Sequence, residues 1–248
     1  MRRVSATVYV TPLREGGSLP ALVEADDGGM YVLKFRGAGQ GPKALVAEIV
    51  VAELARALAL PVPEIVLVEL DPAIGKGEPD PEIQDLLLAS VGLNLGVDFL
   101  PGALPFSPAA GPRPDPDLAA AIVWLDALVT NVDRTPRNPN LLWWHDRLWL
   151  IDHGAALYWH HSSVPPPNHE RDAFAVVRDH VLLPYASSIV EADARLSREL
   201  TPRVLSELAA EMPDDWLDGA DPTIYVDYLT RRLEDPRPFV ERAEHARR

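Results

Sequence analysis

The sequence predicts an α+β protein of two lobes, a small β-rich lobe followed by a mainly helical one. Three observations predict it. Short runs of β-type residues dominate the first third, six prolines crowd between positions 101 and 116, and the later part of the chain carries helix-starting signatures. No internal repeat is visible.

Residues 4–10, 21–25 and 30–35 read as strands. Asp26-Asp27-Gly28-Gly29, between the last two, supplies the positive-φ positions of a hairpin turn. Residues 43–60 are rich in Ala, Leu and Val without an internal Gly or Pro, the pattern of a helix that stops at Pro61. Residues 64–70 return to strand, 81–89 to a short helix and 93–100 to strand. Prolines at 101, 105, 108, 112, 114 and 116 exclude a helix or a central strand. The lobe boundary is therefore expected there, with residues 1–100 in the first lobe and 101–248 in the second. Residues 117–129 read as an apolar helix, and 140–144 with 148–151 as a hairpin around His145-Asp146-Arg147. Residues 172–182, 201–211 and 221–234 read as helices, the last two opened by Thr201-Pro202 and Asp221-Pro222.

Composition narrows the function. The 248 residues include 23 Lys+Arg and 37 Asp+Glu, a net charge of −14 that disfavours DNA or RNA as a partner. The absence of cysteine removes disulfides, thiolate metal sites and cysteine nucleophiles together. Neither a signal peptide nor an apolar run long enough to span a membrane is visible, so a soluble cytoplasmic protein is expected. Scarce polar residues are unevenly placed. Only three lysines occur (Lys34, Lys43, Lys76), three of five asparagines fall within ten residues (Asn131, Asn138, Asn140), and six of seven histidines lie between His145 and His180.

The loop Asn131-Val132-Asp133-Arg134-Thr135-Pro136-Arg137-Asn138 sits between the apolar helix and the hairpin. The hairpin is followed by Ile151-Asp152-His153-Gly154. An Asp-x-x-x-x-Asn loop joined across a hairpin to Asp-x-Gly is the arrangement of phosphoryl-transfer kinases. There the first Asp accepts a hydroxyl proton, and the Asn and second Asp hold Mg²⁺, which takes hard oxygen ligands. Spacing alone is weak evidence, because 21 Asp and five Asn give roughly 0.4 chance pairs at this separation. Asp126 and Asn131 match it too, but Asp126 lies inside the apolar helix and reads as a buried, hydrogen-bonded carboxylate. Lys34 sits in a strand of a chain that otherwise favours Arg, and lysine offers the compact charge that suits phosphate oxygens. Glu48 has no basic neighbour at i±3 or i±4, whereas Glu53 has Arg56. A carboxylate among apolar residues needs a partner from elsewhere, and Lys34 is the natural one. Arg134 could stabilise transferred phosphoryl charge or brace the loop; bracing is favoured. Gly16-Gly17-Ser18 occupies the place of a phosphate-covering loop without being a G-x-G-x-x-G. A competing metal site of His153, His160, His161 and His169 with Asp152 lacks the spacing that fixes ligand geometry.

With these segments the sequence resembles the HipA-like kinases, and among them the short stand-alone members. The similar stretches are Tyr31-Val32-Leu33-Lys34-Phe35, residues 44–60 running into Pro61-Val62-Pro63, Asp98-Phe99-Leu100-Pro101-Gly102, Asn131-Val132-Asp133-Arg134 with Asn138, and Ile151-Asp152-His153-Gly154. The resemblance implies a protein-kinase-like fold and use of ATP and Mg²⁺. It implies that Lys34 contacts the α/β-phosphates, Glu48 positions Lys34, Asp133 is the base, and Asn138 and Asp152 hold the metal. Residues 98–101 would form the hinge beside adenine. Thr135 stands where such loops carry His, and His153 where protein kinases place Phe. The expected activity is transfer of the γ-phosphoryl of ATP to a hydroxyl, on Ser or Thr of a protein. A nucleotide-binding pseudokinase and a small-molecule kinase of the aminoglycoside-phosphotransferase type are the alternatives.

Overall fold

A computed structural model describes residues 1–13, 19–39, 41–162 and 164–248. Gly16, Gly17 and Ser18 lie outside the described residues. The chain divides into two compact units: Met1–Leu45 with Pro63–Pro101, and Val46–Val62 with Gly102–Arg248. Among the described residues no helix is long and apolar enough to cross a membrane.

The first unit is a closed barrel of five strands, β1 (Arg3–Pro12), β2 (Ala21–Ala25), β3 (Met30–Lys34), β4 (Ile65–Leu70) and β5 (Gly92–Asp98), in the order β1-β2-β3-β5-β4. Closure depends on the length of β1. Its first residues pair in parallel with β4 (Arg3↔Leu67, Ser5↔Glu69) and the rest antiparallel with β2. Register shifts between Ala6 and Val8 and between Tyr9 and Thr11 let one strand serve both neighbours, as bulges bend and twist the strand that carries them. The β2–β3 connection is the turn expected from Asp-Asp-Gly-Gly. Gly28 takes φ +79, and Asp27 Oδ1 accepts from the Gly29 amide at 2.9 Å. Val4, Ala6, Val23, Leu33, Val66 and Val68 fill the interior. At Gly96 a Cβ would fall 2.6 Å from Val68 Cγ2 and 3.0 Å from Val66 Cγ2, so only glycine fits.

Helix α1 (Pro42–Ala57) runs from the first unit into the second. Residues 45–52 are all buried, as expected of a helix apolar on every face, and Glu48 is the only charged residue among them. The short helix α2 (Pro81–Ala89) adds Ile83 and Leu87 to the barrel core, and Asp80 caps its first turn by accepting from the Glu82 amide. The second unit is centred on α3 (Pro116–Leu128), in which ten consecutive residues, 119–128, are buried. Asp115 caps it at two amides, with Pro116 at the first helical position. Around α3 pack α4 (Ile189–Leu196), α6 (Thr223–Leu233) and α7 (Pro238–Arg247), with α5 (Pro202–Ala209) against α6.

A two-residue strand, β6 (Leu104–Pro105), lies within the proline-rich segment and pairs with β7 (Leu141–Trp144), an edge position that proline tolerates. Strands β7 and β8 (Arg147–Leu150) form the expected hairpin. They are joined by a two-residue turn in which His145 and Asp146 both have positive φ, 48 and 58.

The helix expected over 172–182 does not form. Residues 175–179 make a short 3₁₀ segment, entered through Phe174 at φ 55 and left through an extended His180. The reason is tertiary: the Val181 amide donates to Arg134 O at 3.1 Å and the His180 ring reaches Asp126, so the backbone is held against α3 and its loop.

Candidate active site

Helix α3 gives way at Thr130, which takes φ 52 and turns the chain out of the helix axis. Asn131 then closes back on α3, its amide donating to Asp126 O and its side-chain Nδ2 to Asp126 Oδ1, both at 2.9 Å. The Asn131 Oδ1 in turn accepts from the Asp133 amide at 3.2 Å. Further on, the Thr135 and Asn138 backbones exchange hydrogen bonds of 3.1 Å each. The loop is therefore tied to a buried helix at one end and folded on itself at the other, with Asp133 between.

Its brace is a buried ion pair. Asp126 and Arg134 have no exposed side-chain surface and meet at 2.6 Å. His180 Nε2 lies 2.9 Å from the same Asp126 oxygen, and His180 Nδ1 accepts from the Leu182 amide, so the ring proton sits on Nε2 and is donated to Asp126. Burial alone would push the Asp126 carboxyl up. The charge of Arg134, followed by the His180 hydrogen bond, outweighs it and holds the carboxyl well below the usual carboxylate range. Further donors of Arg134 go to the carbonyls of Asn140 and Ile151 and to His153 Nδ1 at 3.1 Å. Because a guanidinium only donates, His153 accepts at Nδ1 and carries its proton on Nε2. The Arg134 guanidinium is thus enclosed, turned toward Asp126, backbone carbonyls and His153.

Two side-chain amides meet the Asp133 carboxylate at one oxygen. Asn138 Nδ2 donates to Oδ2 at 2.7 Å and Asn140 Nδ2 approaches it at 3.3 Å. Among the described residues no hydrogen bond is made to Oδ1. Asp152 follows β8 with φ 55 and an exposed side chain. The next amide, that of His153, donates to Glu48 Oε1 at 2.8 Å. Glu48 thus has a backbone partner beside the Asp-x-Gly segment that sequence spacing does not reveal.

The family model described as HipA-like kinase matches residues 8–236. The chain belongs to the HipA-like kinase family. It is accordingly a kinase, a phosphotransferase that uses a nucleotide and a substrate. Among solved structures, the Helicobacter pylori proinflammatory kinase CtkA is similar at 13% identity, over 98% of this chain and 98% of that one, with a TM-score of 0.54. That likeness shows a kinase-like α+β fold. The Golgi casein kinase is also similar, at 13% identity over 99% of this chain and 72% of that one, with a TM-score of 0.49. No curated protein matches the chain.

In this HipA-like kinase the other residues expected at the site fall in several places. Lys34 ends β3 opposite Leu95 and is half-buried. Asp98 ends β5 opposite Tyr31, where burial, and then the charge of Glu64, push its carboxyl up. Phe99 follows, its amide donating to Met30 O at 3.0 Å, and Leu100 is buried. The histidines of the competing metal reading contact mainly aromatic and histidine rings, apart from His153. His160 lies against Tyr225 and His161, His169 stacks on Tyr228, and His153 faces Arg134. Among the described residues no group of three His, Asp or Glu is placed to hold a metal ion. Sequence reasoning assigns no role to Asn140 or His180. Their only sequence signal is membership of the asparagine and histidine clusters, because their roles depend on contacts 7 and 54 positions away.

Proposed function

We propose that this kinase transfers the γ-phosphoryl of ATP to a hydroxyl, that of Ser or Thr in a protein, with Asp133 as the base and Mg²⁺ as the metal. The observation that carries the reading is the Asp133 carboxylate, held through Oδ2 by side-chain amides on a braced loop, with Oδ1 facing no protein donor among the described residues. A hydroxyl seated there gives its proton to Oδ1 as its oxygen bonds to the γ-phosphorus, and the bond to the bridging oxygen breaks to release ADP.

The donor chemistry fits Mg²⁺. The Asp152 carboxylate and the Asn138 side-chain oxygen are hard ligands, both residues are exposed, and Asn138 spends its Nδ2, not its oxygen, on Asp133. When bound, the metal would neutralise phosphate charge. The left-handed backbone of Asp152 supports this role, since unusual dihedrals persist where surrounding contacts impose them. Arg134, with Asp126 and His180, acts as the brace of the loop. Glu48 holds the backbone at His153, beside the metal ligand. For Lys34 and residues 98–100, the family resemblance supports contacts to the α/β-phosphates and to adenine; for Gly16, Gly17 and Ser18, a phosphate-covering role rests on their place in the sequence order alone.

The test is transfer from γ-labelled ATP to itself or to lysate proteins. Wild type is expected to label, and Asp133→Ala and Asp152→Ala to lose at least about 100-fold, within the range of general-base contributions. Equal labelling by wild type and Asp133→Ala would overturn the assignment. Stabilisation by ATP and Mg²⁺ without transfer would favour a pseudokinase.

A further inference from the structure

We infer that Asn140 is a positioning residue of the phosphoryl-transfer site: its side-chain amide fixes Asp133 so that Oδ1 faces the acceptor hydroxyl, and it couples Asp133 to the backbone of Asp152. The inference rests on the reading of Asp133 as the base, and it concerns a residue outside the Asp-x-x-x-x-Asn and Asp-x-Gly pattern.

Asn140 is held through both its side chain and its backbone. Its Nδ2 lies 3.3 Å from Asp133 Oδ2 and 3.4 Å from the Asp152 carbonyl oxygen, one hydrogen for each acceptor. Its own carbonyl accepts from Arg134 Nη1 and, at 3.1 Å, from the Ile151 amide. The residue is 8% exposed and stands at φ 50, a conformation that asparagine adopts more readily than other side-chain-bearing residues. Backbone and side chain thus do separate jobs. The carbonyl locks the loop to the brace and to the end of β8, and that lock holds the left-handed turn that aims the amide between two acidic residues.

The two amide contacts are long, as hydrogen bonds of catalytic groups often are before substrate binds. Their effect on Asp133 follows from which oxygen they meet. Asn138 and Asn140 both address Oδ2, which sets the carboxylate's rotation about its Cβ–Cγ bond and leaves Oδ1 as the acceptor. Asn138 is exposed and is also the proposed metal ligand, so it can change orientation when the metal arrives; Asn140 is enclosed and cannot. Asn140 is therefore the donor that keeps Asp133 aligned through the catalytic cycle.

The test uses the full chain and two readouts. Asn140→Gly keeps the left-handed backbone and removes the amide, and Asn140→Asp keeps the side-chain shape and removes the donor. Both are expected to lower kcat at least tenfold while the Kd for MgATP, from calorimetry, stays within twofold of wild type. The second readout needs no turnover. The chain has five asparagines and two glutamines, so its side-chain amide spectrum is simple. Asp133→Ala is expected to displace the Asn140 side-chain ¹H–¹⁵N signals and leave those of Asn94, bonded to Ser90 and Gly92 carbonyls, in place. An unchanged kcat in both variants, a parallel loss of MgATP affinity, or an unmoved Asn140 signal would each overturn the inference. If wild type itself transfers no phosphate, the kinase assignment of Asp133 fails. The amide signals then decide alone whether Asn140 holds Asp133.

Discussion

Asp126 and Arg134 share a site closed to solvent, and the arrangement is stable only while both are charged. Removing one partner of such a pair leaves the other buried and uncompensated, a loss of about 3–5 kcal/mol. Asp126→Asn is expected to lower unfolding free energy by that amount in urea titrations. Arg134→Met is expected to do less harm, because a stranded carboxyl can take up a proton and still accept from His180, whereas a stranded guanidinium cannot shed its charge. The pair also sets an acid limit. The folded Asp126 carboxyl ionises far below its ordinary 3.8, so its contribution is complete above about pH 4 and is lost as pH falls below that value toward the depressed one. Unfolding free energy measured from pH 6 to pH 2 is expected to fall more steeply in wild type than in Asp126→Asn; parallel curves would contradict the assignment.

Among the elements, the barrel shows how tightly a single position is packed. Gly96 lies where β5 passes between Val66 and Leu33, and the nearest valine methyl leaves no room for a Cβ. Gly96→Ala is expected to cost about 1–3 kcal/mol, the usual range for overpacking, read as a lower urea midpoint with an unchanged slope. Most elements are legible in the sequence. Residues 21–25 and 81–89 form as the strand and the short helix expected, and the 145–146 turn falls inside the expected hairpin. The misses share a cause. The 172–182 stretch has helical composition but is spent on holding Arg134 and Asp126, and α4 and α7 are short elements whose burial against α3 supplies what their sequences do not advertise. Arg232 of α6 is another case: a surface-type residue that is 1% exposed because its guanidinium donates to the carbonyls of Ala127 and Asp172.

Across the chain as a whole, the net charge of −14 governs encounters with polyanions. The protein is expected to pass through a heparin column at about 50 mM salt without retention; binding there would reveal a basic groove that the total conceals. A single nucleotide is a different case, because the acidic side chains Asp133 and Asp152 are proposed to meet its phosphates together with a cation.

Local pattern in the chain was enough to indicate the family, the α+β class, and the loop, hairpin and Asp-x-Gly segments to which we assign the chemistry. Each depends on neighbours within a few residues: turn-forming glycines, capping carboxylates, prolines that forbid a helix, and polar residues grouped on one loop. Folding in three dimensions was needed to show that β1 closes a barrel, that Glu48 holds the His153 amide, that Arg134 is consumed by Asp126 and backbone carbonyls, and that Asn140 joins Asp133 to Asp152. The cause is the same for each buried contact. A polar group removed from water must find its partner, and the chain's path in space, which local pattern does not encode, determines which group is within about 3 Å.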